Sequence, residues 1–303
     1  MSNTKQNNIA ADHWNKWQDK YNKEQPKYTD WGDHPTILDL MYKHHFGSSN
    51  TTLFDHINKN YPEFSTQHAL SLCSGDGSFE KLLLMSNVFG AITGMDIADT
   101  RVETANMQLG ELAGRLDFIL GDVNDGQFCE VKYDIVFAKA ALHHIEQLET
   151  MFAGVKRCLK PGGKLVTLDF FGPTRFQWTD EQLFAVNHFL NKEIPYELLT
   201  KPDGSIYKDI GRPTIDQMID MDPSEAVRSS DIYPLIQSEF TIIEEIPIGG
   251  TLLNLIFDQF VINRFDVNNS SHNQIIKAAF EYERQLIADA KINCDFKFIV
   301  AKV

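Results

Sequence analysis

Basic charge is scarce in this chain. Its 303 residues carry 28 Lys and Arg against 42 Asp and Glu, a formal net charge of -14, and no stripe of lysines or arginines gathers anywhere. A protein that neutralises several phosphates needs such a patch, so DNA and RNA are disfavoured as substrates and a small molecule is favoured. Cysteine is nearly as sparse. The four, Cys73, Cys129, Cys158 and Cys294, show neither CxxC pairing nor zinc spacing, and their apolar or strand-like surroundings predict reduced core thiols and no metal. No apolar run approaches the ~20 residues of a membrane span, and the polar N-terminus has no signal core, which points to a soluble cytoplasmic protein without a membrane partner. With no internal repeat, the length suits one decorated domain better than two independent ones.

The most informative segment is His68 to Glu80, HALSLCSGDGSFE, where a short apolar run breaks into Gly75-Asp76-Gly77 and then a helical pattern. Glycines there allow positive φ and close approach of backbone to ligand, and the free N–H groups of the next helix face an anion. A dinucleotide fingerprint has a third glycine three residues after the second; here that position is Glu80, which argues against a pyrophosphate and for a smaller, carboxylate-bearing ligand. A second strand-like run, Phe89 to Met95, ends in Asp96, 19 residues beyond Gly77, where a βαβ unit presents a carboxylate to ribose hydroxyls. Further runs at Leu116 to Leu120, Tyr133 to Phe137 and Lys164 to Leu168 end in Gly121-Asp122, in Ala138 and the residues through Ile145, and in Asp169. Five strands alternating with helical patterns predict a Rossmann-like doubly wound α/β sheet with its ligand crevice at the strand carboxyl ends.

Taken in order, Gly75-Asp76-Gly77, Asp96, Gly121-Asp122, Leu142-His143-His144 and Lys160-Pro161-Gly162-Gly163 resemble the class I S-adenosylmethionine-dependent methyltransferases, over roughly residues 65 to 172. The resemblance implies a seven-stranded sheet whose last strand is antiparallel, a role that the β-rich Cys294 to Val303 suits. It implies S-adenosyl-L-methionine as cofactor. Gly75, Asp76 and Gly77 would line its methionine end, Asp96 would accept both ribose hydroxyls, Asp122 the adenine amino group, Ile97 and Val123 would face the ring, and Ala138 would complete the set. Two positions depart from the family's pattern: Ser71 and Cys73 stand where an acidic residue and a glycine are usual before the turn.

Residues 1–64 form a predicted helical cap rich in aromatics, among them Trp14, Trp17, Tyr21, Tyr28 and Trp31. Of these, Tyr21, Tyr28 and Trp31 are candidates for shielding a sulfonium by cation–π attraction. The remainder, 65–303, is the methyltransferase-like domain with lid segments inserted at 173–236 and 249–291. The first is far longer than an ordinary α/β connection. It contains a helix candidate at Trp178 to Asn191, and Asp222-Pro223-Ser224-Glu225, which reads as the capped start of a helix through Ile236. The second reads as helices over Leu252 to Ile262 and Asn273 to Ala290, and its LLNLIF run must be buried, against the lid or in a homodimer face.

Methyl transfer from a sulfonium to a hydroxyl needs an aligned nucleophile, excluded water and a base. His143 and His144 follow the fourth strand at the ligand edge, and Asp169, 26 residues beyond His143, ends the neighbouring strand. A His-His pair followed by Asp is similar to that of O-methyltransferases acting on sugars of glycosylated natural products, which implies acid/base roles for His143, His144 and Asp169. Arg175, Arg212 and Arg228 are candidates for gripping an anionic acceptor. Methylation of an amine or a carboxylate, an NAD-dependent oxidoreductase and a non-catalytic binding protein stay open at this point.

Overall fold

The computed structural model describes residues 11, 13–16, 26–127 and 132–303; Trp17, Tyr21 and Cys129 lie outside the described residues. Seven strands form one sheet: β1 (His68–Leu72), β2 (Ala91–Asp96), β3 (Leu116–Leu120), β4 (Tyr133–Lys139), β5 (Leu159–Phe170), β6 (Thr241–Gly249) and β7 (Phe296–Lys302). Their order is β3-β2-β1-β4-β5-β7-β6, with β1 to β5 parallel and β7 antiparallel to both its neighbours. The chain runs outward through β1, β2 and β3 and then returns to β4 on the other side of β1. The loops leaving β1 and β4 therefore diverge and open a crevice at their carboxyl ends.

The helices are α1 (Pro35–Phe46), α2 (Leu53–Asn60), α3 (Ser78–Met85), α4 (Asp99–Met107), α5 (Leu148–Cys158), α6 (Asp180–Glu193), α7 (Tyr196–Leu199), α8 (Ile215–Met221), α9 (Ser229–Glu239), α10 (Leu253–Ile256), α11 (Gln259–Ile262) and α12 (Ser270–Ala288). One sheet face packs on α5 and α9 through Met151, Phe152, Val155, Ile232 and Ile236; the other packs on α2, α3 and α4 through Ile57, Leu83, Leu84, Val102 and Ala105. Both faces are buried, and β1 and β4 accordingly read as continuous apolar runs.

A second core lies outside this sandwich. Trp31 and Ile37 meet Phe189 and Leu190 of α6, Leu253 and Ile256 of α10, and Ile276 and Phe280 of α12. Parts of the cap and of both insertions thus share one core, and the LLNLIF run is buried inside this chain. The buried carboxylate of Glu283 on α12 fixes the strand-to-lid turn, accepting the backbone N–H groups of Gly250 (2.7 Å), Leu252 (2.6 Å) and Leu253 (3.0 Å). Glu283→Ala leaves these donors unsatisfied and should destabilise the fold by about 3 kcal/mol or more, read as a lower midpoint in urea unfolding; a change within error would show the turn to be held otherwise.

Three expectations need correction. Asp222 to Glu225 do not open a helix. Asp222 Oδ1 accepts from the Ser224 N–H (2.8 Å) and hydroxyl (2.7 Å) in a closed turn, Ala226 follows at φ 47°, and α9 begins only at Ser229. The stretch Leu252 to Ile262 is two short helices, because the Asp258 carboxylate caps a new helix start by accepting the Val261 N–H. Cys158 is disulfide-bonded, whereas Cys73 and Cys294 are free thiols; pairing is set by tertiary approach, which the spacing of the four cysteines does not encode. No described helix is long and apolar enough to cross a membrane.

Candidate active site

Two elements build the crevice floor. After β1 the backbone takes left-handed φ at Cys73 (51°), Gly75 (58°) and Gly77 (73°), folding the loop back over the sheet end. Gly77 has a second constraint, since a Cβ there would sit 2.1 Å from the Phe118 ring. Asp96, at the end of β2 and 5 % exposed, clamps this loop: Oδ2 accepts the Gly75 N–H at 2.8 Å and Oδ1 the Ala98 N–H at 2.9 Å. Asp76 Oδ1 accepts the Ser78 N–H at 3.0 Å, and Asp122 accepts the Asn124 N–H at 2.9 Å.

Two cavities of about 340 and 330 Å³ open here and share Cys73, Arg101 and Lys139 in their walls. Each is in the ~300–1,000 Å³ range of small-ligand sites. The first is lined by Asp96, Ile97, Asp122, Val123, Trp14 and His144, the second by Ser74, Gly75, Asp76, Glu80 and Thr29. Every candidate from the β1, β2 and β3 loops except Gly77 thus lines one cavity or the other. Burial first, and then the carboxylates of Asp96, Asp169 and Asp122, push the Cys73 thiol well above its ordinary range. A buried thiol raised in this way stays protonated and is a poor nucleophile.

The remaining candidates lie elsewhere. Tyr28 and Trp31 belong to the lid core: Tyr28 packs on His34 (ring centroids 4.9 Å) and Trp31 on Phe296 (5.5 Å), and neither is among the residues lining the two cavities. Their large apolar faces gain more from the second core than from a ligand edge. The Ala138 methyl is buried in the sheet core, and the cavity wall comes from the next two residues, Lys139 and Ala140. Arg212 is held by the Trp178 carbonyl and Asp180, and Arg228 by Glu149 and Asp231. Arg175 donates to the Glu225 carbonyl at 3.1 Å and so braces the Asp222–Glu225 turn.

The three acid/base candidates come together. His143 Nδ1 lies 2.6 Å from Asp169 Oδ1, and because an ionised carboxylate only accepts, Nδ1 carries the proton. Asp169, 2 % exposed, cannot turn away, since its oxygens also accept the N–H groups of Ala141, Leu142 and Phe170, each at 2.8 Å. His143 Nε2 faces Glu225 Oε1 at 3.6 Å. Burial alone would lower the proton affinity of this ring, but Asp169, Glu225 and Asp222 override it and raise the pKa to about 9. His144 goes the other way: burial first, and then the His143 charge, lower it well below the ordinary range. Its ring stands 4.1 Å from that of His143 between centroids, with Nδ1 at 3.3 Å from the Ser224 hydroxyl and Trp14 packed edge-on. Two histidines with opposed proton affinities are thus set side by side. His143, His144 and Glu225 also place ligating atoms within 4.8 Å of one another, a span in which a divalent ion could be held.

Sequence reasoning missed Trp14, Arg101, Lys139, Ser224 and Glu225. Arg101 had a positional signal, five residues past Asp96; its guanidinium stacks 4.6 Å from the Trp14 ring.

Residues 70–167 match the family model described as a methyltransferase domain. That segment, about a third of the chain, is thus similar to a methyltransferase domain. Among relatives, the demethylmenaquinone methyltransferase of Leptospira interrogans is 28 % identical over 173 residues, 56 % of this chain and 63 % of that protein. An uncharacterized methyltransferase of Synechocystis, sll0829, is 26 % identical over 148 residues, 48 % of this chain and 66 % of its own length. The chain therefore spans just under two thirds of the length of these relatives. The crystal structure of an S-adenosylmethionine-dependent methyltransferase from Mesorhizobium loti superposes with TM-score 0.46 at 14 % identity, covering 82 % of this chain and 96 % of that one.

Proposed function

We propose that the protein transfers a methyl group from S-adenosylmethionine to a hydroxyl of a small, hydroxyl-rich acceptor, a saccharide or glycosylated metabolite. The observation that carries this reading is the short Asp169–His143 contact, with the carboxylate pinned by three backbone N–H groups. Of the two nitrogens of the His143 ring, it leaves Nε2 to take a proton, facing Glu225 Oε1. An amine or carboxylate acceptor needs no such base.

Gly75 and Asp76 would hold the methionine end of the cofactor, with Gly77 shaping their loop, and Asp96, Ile97, Asp122 and Val123 would hold the nucleoside. When bound, the cofactor supplies a methyl group already activated on a sulfonium. The protein's own part is to strip the acceptor: His143 Nε2 takes the hydroxyl proton, Asp169 stabilises the imidazolium so formed, and Glu225, facing the same nitrogen, orients the hydroxyl between them. Ser224, in the wall of the first cavity, adds a hydroxyl for a neighbouring group of the acceptor.

Incubation with methyl-deuterated S-adenosylmethionine and a panel of glycosides, catechols and amines, read by mass spectrometry, tests the assignment. The expected product carries a labelled O-methyl group; labelling confined to amines would overturn the hydroxyl assignment. In this reading the His143, His144 and Glu225 cluster works by proton transfer. Exhaustive dialysis against EDTA should therefore leave the rate unchanged, whereas loss of activity restored by Mn²⁺ or Zn²⁺ would reassign the cluster to metal-assisted activation.

A further inference from the structure

The second cavity is walled in part by a carboxylate that the acid/base chemistry does not use. Glu80 lies in the first turn of α3 and is 3 % exposed. Its Oε1 accepts the Ser71 hydroxyl at 2.7 Å, and its Oε2 is buried with no hydrogen-bond partner among the described residues. Buried polar oxygens are nearly always paired, and one that is not calls for an explanation. Burial pushes the Glu80 carboxyl up to about 7, against the opposing pull of the Ser71 hydroxyl and Lys139, while Asp76 adds to the rise. A cation bearing N–H donors, delivered into this cavity, would satisfy the oxygen and fix the charge at once.

The proposed cofactor ends in such a group. We infer that Glu80 binds the α-ammonium of the methionine end of S-adenosylmethionine, an inference that rests on the proposed function. Glu80 faces the cavity lined by Ser74, Gly75 and Asp76, and Lys139 in the same wall has the sign to meet the α-carboxylate. The residue that excludes a pyrophosphate from the glycine turn is then the residue that selects an amino acid there. The Ser71 hydroxyl sits in hydrogen-bond contact with Glu80 Oε1, so an aspartate at position 71 would place its carboxylate close to the same point from the neighbouring strand.

Calorimetry on the purified protein separates this role from a structural one. S-adenosylhomocysteine is compared with 5′-methylthioadenosine, which has the same nucleoside but no amino-acid end. Glu80→Gln is expected to weaken S-adenosylhomocysteine by about 10- to 100-fold, the worth of a charge-assisted hydrogen bond, and to leave 5′-methylthioadenosine within about twofold. The double variant Ser71→Asp/Glu80→Gln should recover most of the lost affinity. Equal weakening of both nucleosides, or unchanged binding of both, would overturn the inference. Wild-type protein that bound neither would overturn the cofactor reading itself, a result distinct from any failure of the variants.

Discussion

His143→Ala should lower kcat for methyl transfer by roughly 10²- to 10⁴-fold, the range of a lost general base, with cofactor affinity nearly unchanged. The ring meets Asp169 through Nδ1 and faces Glu225 through Nε2, and it is absent from the walls of both cavities. Its removal therefore subtracts proton transfer and little binding. The pH profile gives the sign. A pKa raised to about 9 means that the ring of the ligand-free protein is mostly protonated at neutral pH, and that its neutral, proton-accepting form becomes the major one above that value. The rate should rise with pH and level off above about 9. In Asp169→Asn the carboxylate that overrides burial is gone, so the limb should move to lower pH while the plateau falls, because nothing then holds the tautomer. His144→Ala, at a cavity wall and held neutral, should act mainly on KM. A rate that ignores His143, or a limb that stays near 9 in Asp169→Asn, would remove the dyad from the mechanism.

The second large effect is expected at Asp96. Its two oxygens hold the Gly75 and Ala98 N–H groups, and its carboxylate lines the first cavity. Asp96→Ala removes the proposed acceptor for the ribose hydroxyls and frees the glycine loop, so S-adenosylhomocysteine affinity should fall by about two orders of magnitude, the sum of two charge-assisted hydrogen bonds at the low end of their range. Asp96→Asn keeps one acceptor oxygen and should lose about tenfold. Thermal unfolding without ligand checks that the fold survives. Unchanged affinity in a folded Asp96→Ala would place the nucleoside elsewhere.

Much of this site was legible because it hangs on strand ends. Apolar runs of strand length, each closed by a small or polar residue, fix where β1, β2, β4 and β5 stop, and the crossing order then brings Gly75 to Asp96 and His143 to Asp169. Local chemistry decided less well in the lid. Asp222 followed by Pro223 and Ser224 satisfies the rules for a helix cap and for a closed turn alike, since both use the same carboxylate to accept a nearby N–H; the choice depends on what lies beneath, and here His144 and His143 do. Aromatic richness marked the cap as buried without naming the surface. Trp14 reached the cavity, while Tyr28 and Trp31 turned into a second core that exists only because α6, α10 and α12 meet there. Glu80 was read as an obstacle to phosphate, and its unpaired oxygen became visible only with Ser71 beside it.

The most direct test of the account is calorimetric titration of the purified protein with S-adenosylmethionine, S-adenosylhomocysteine and NAD, repeated on Asp96→Ala. The account predicts stoichiometric binding of both sulfur nucleosides, loss of that binding in the variant, and no heat with NAD. Binding of NAD, or of none of the three, would contradict it.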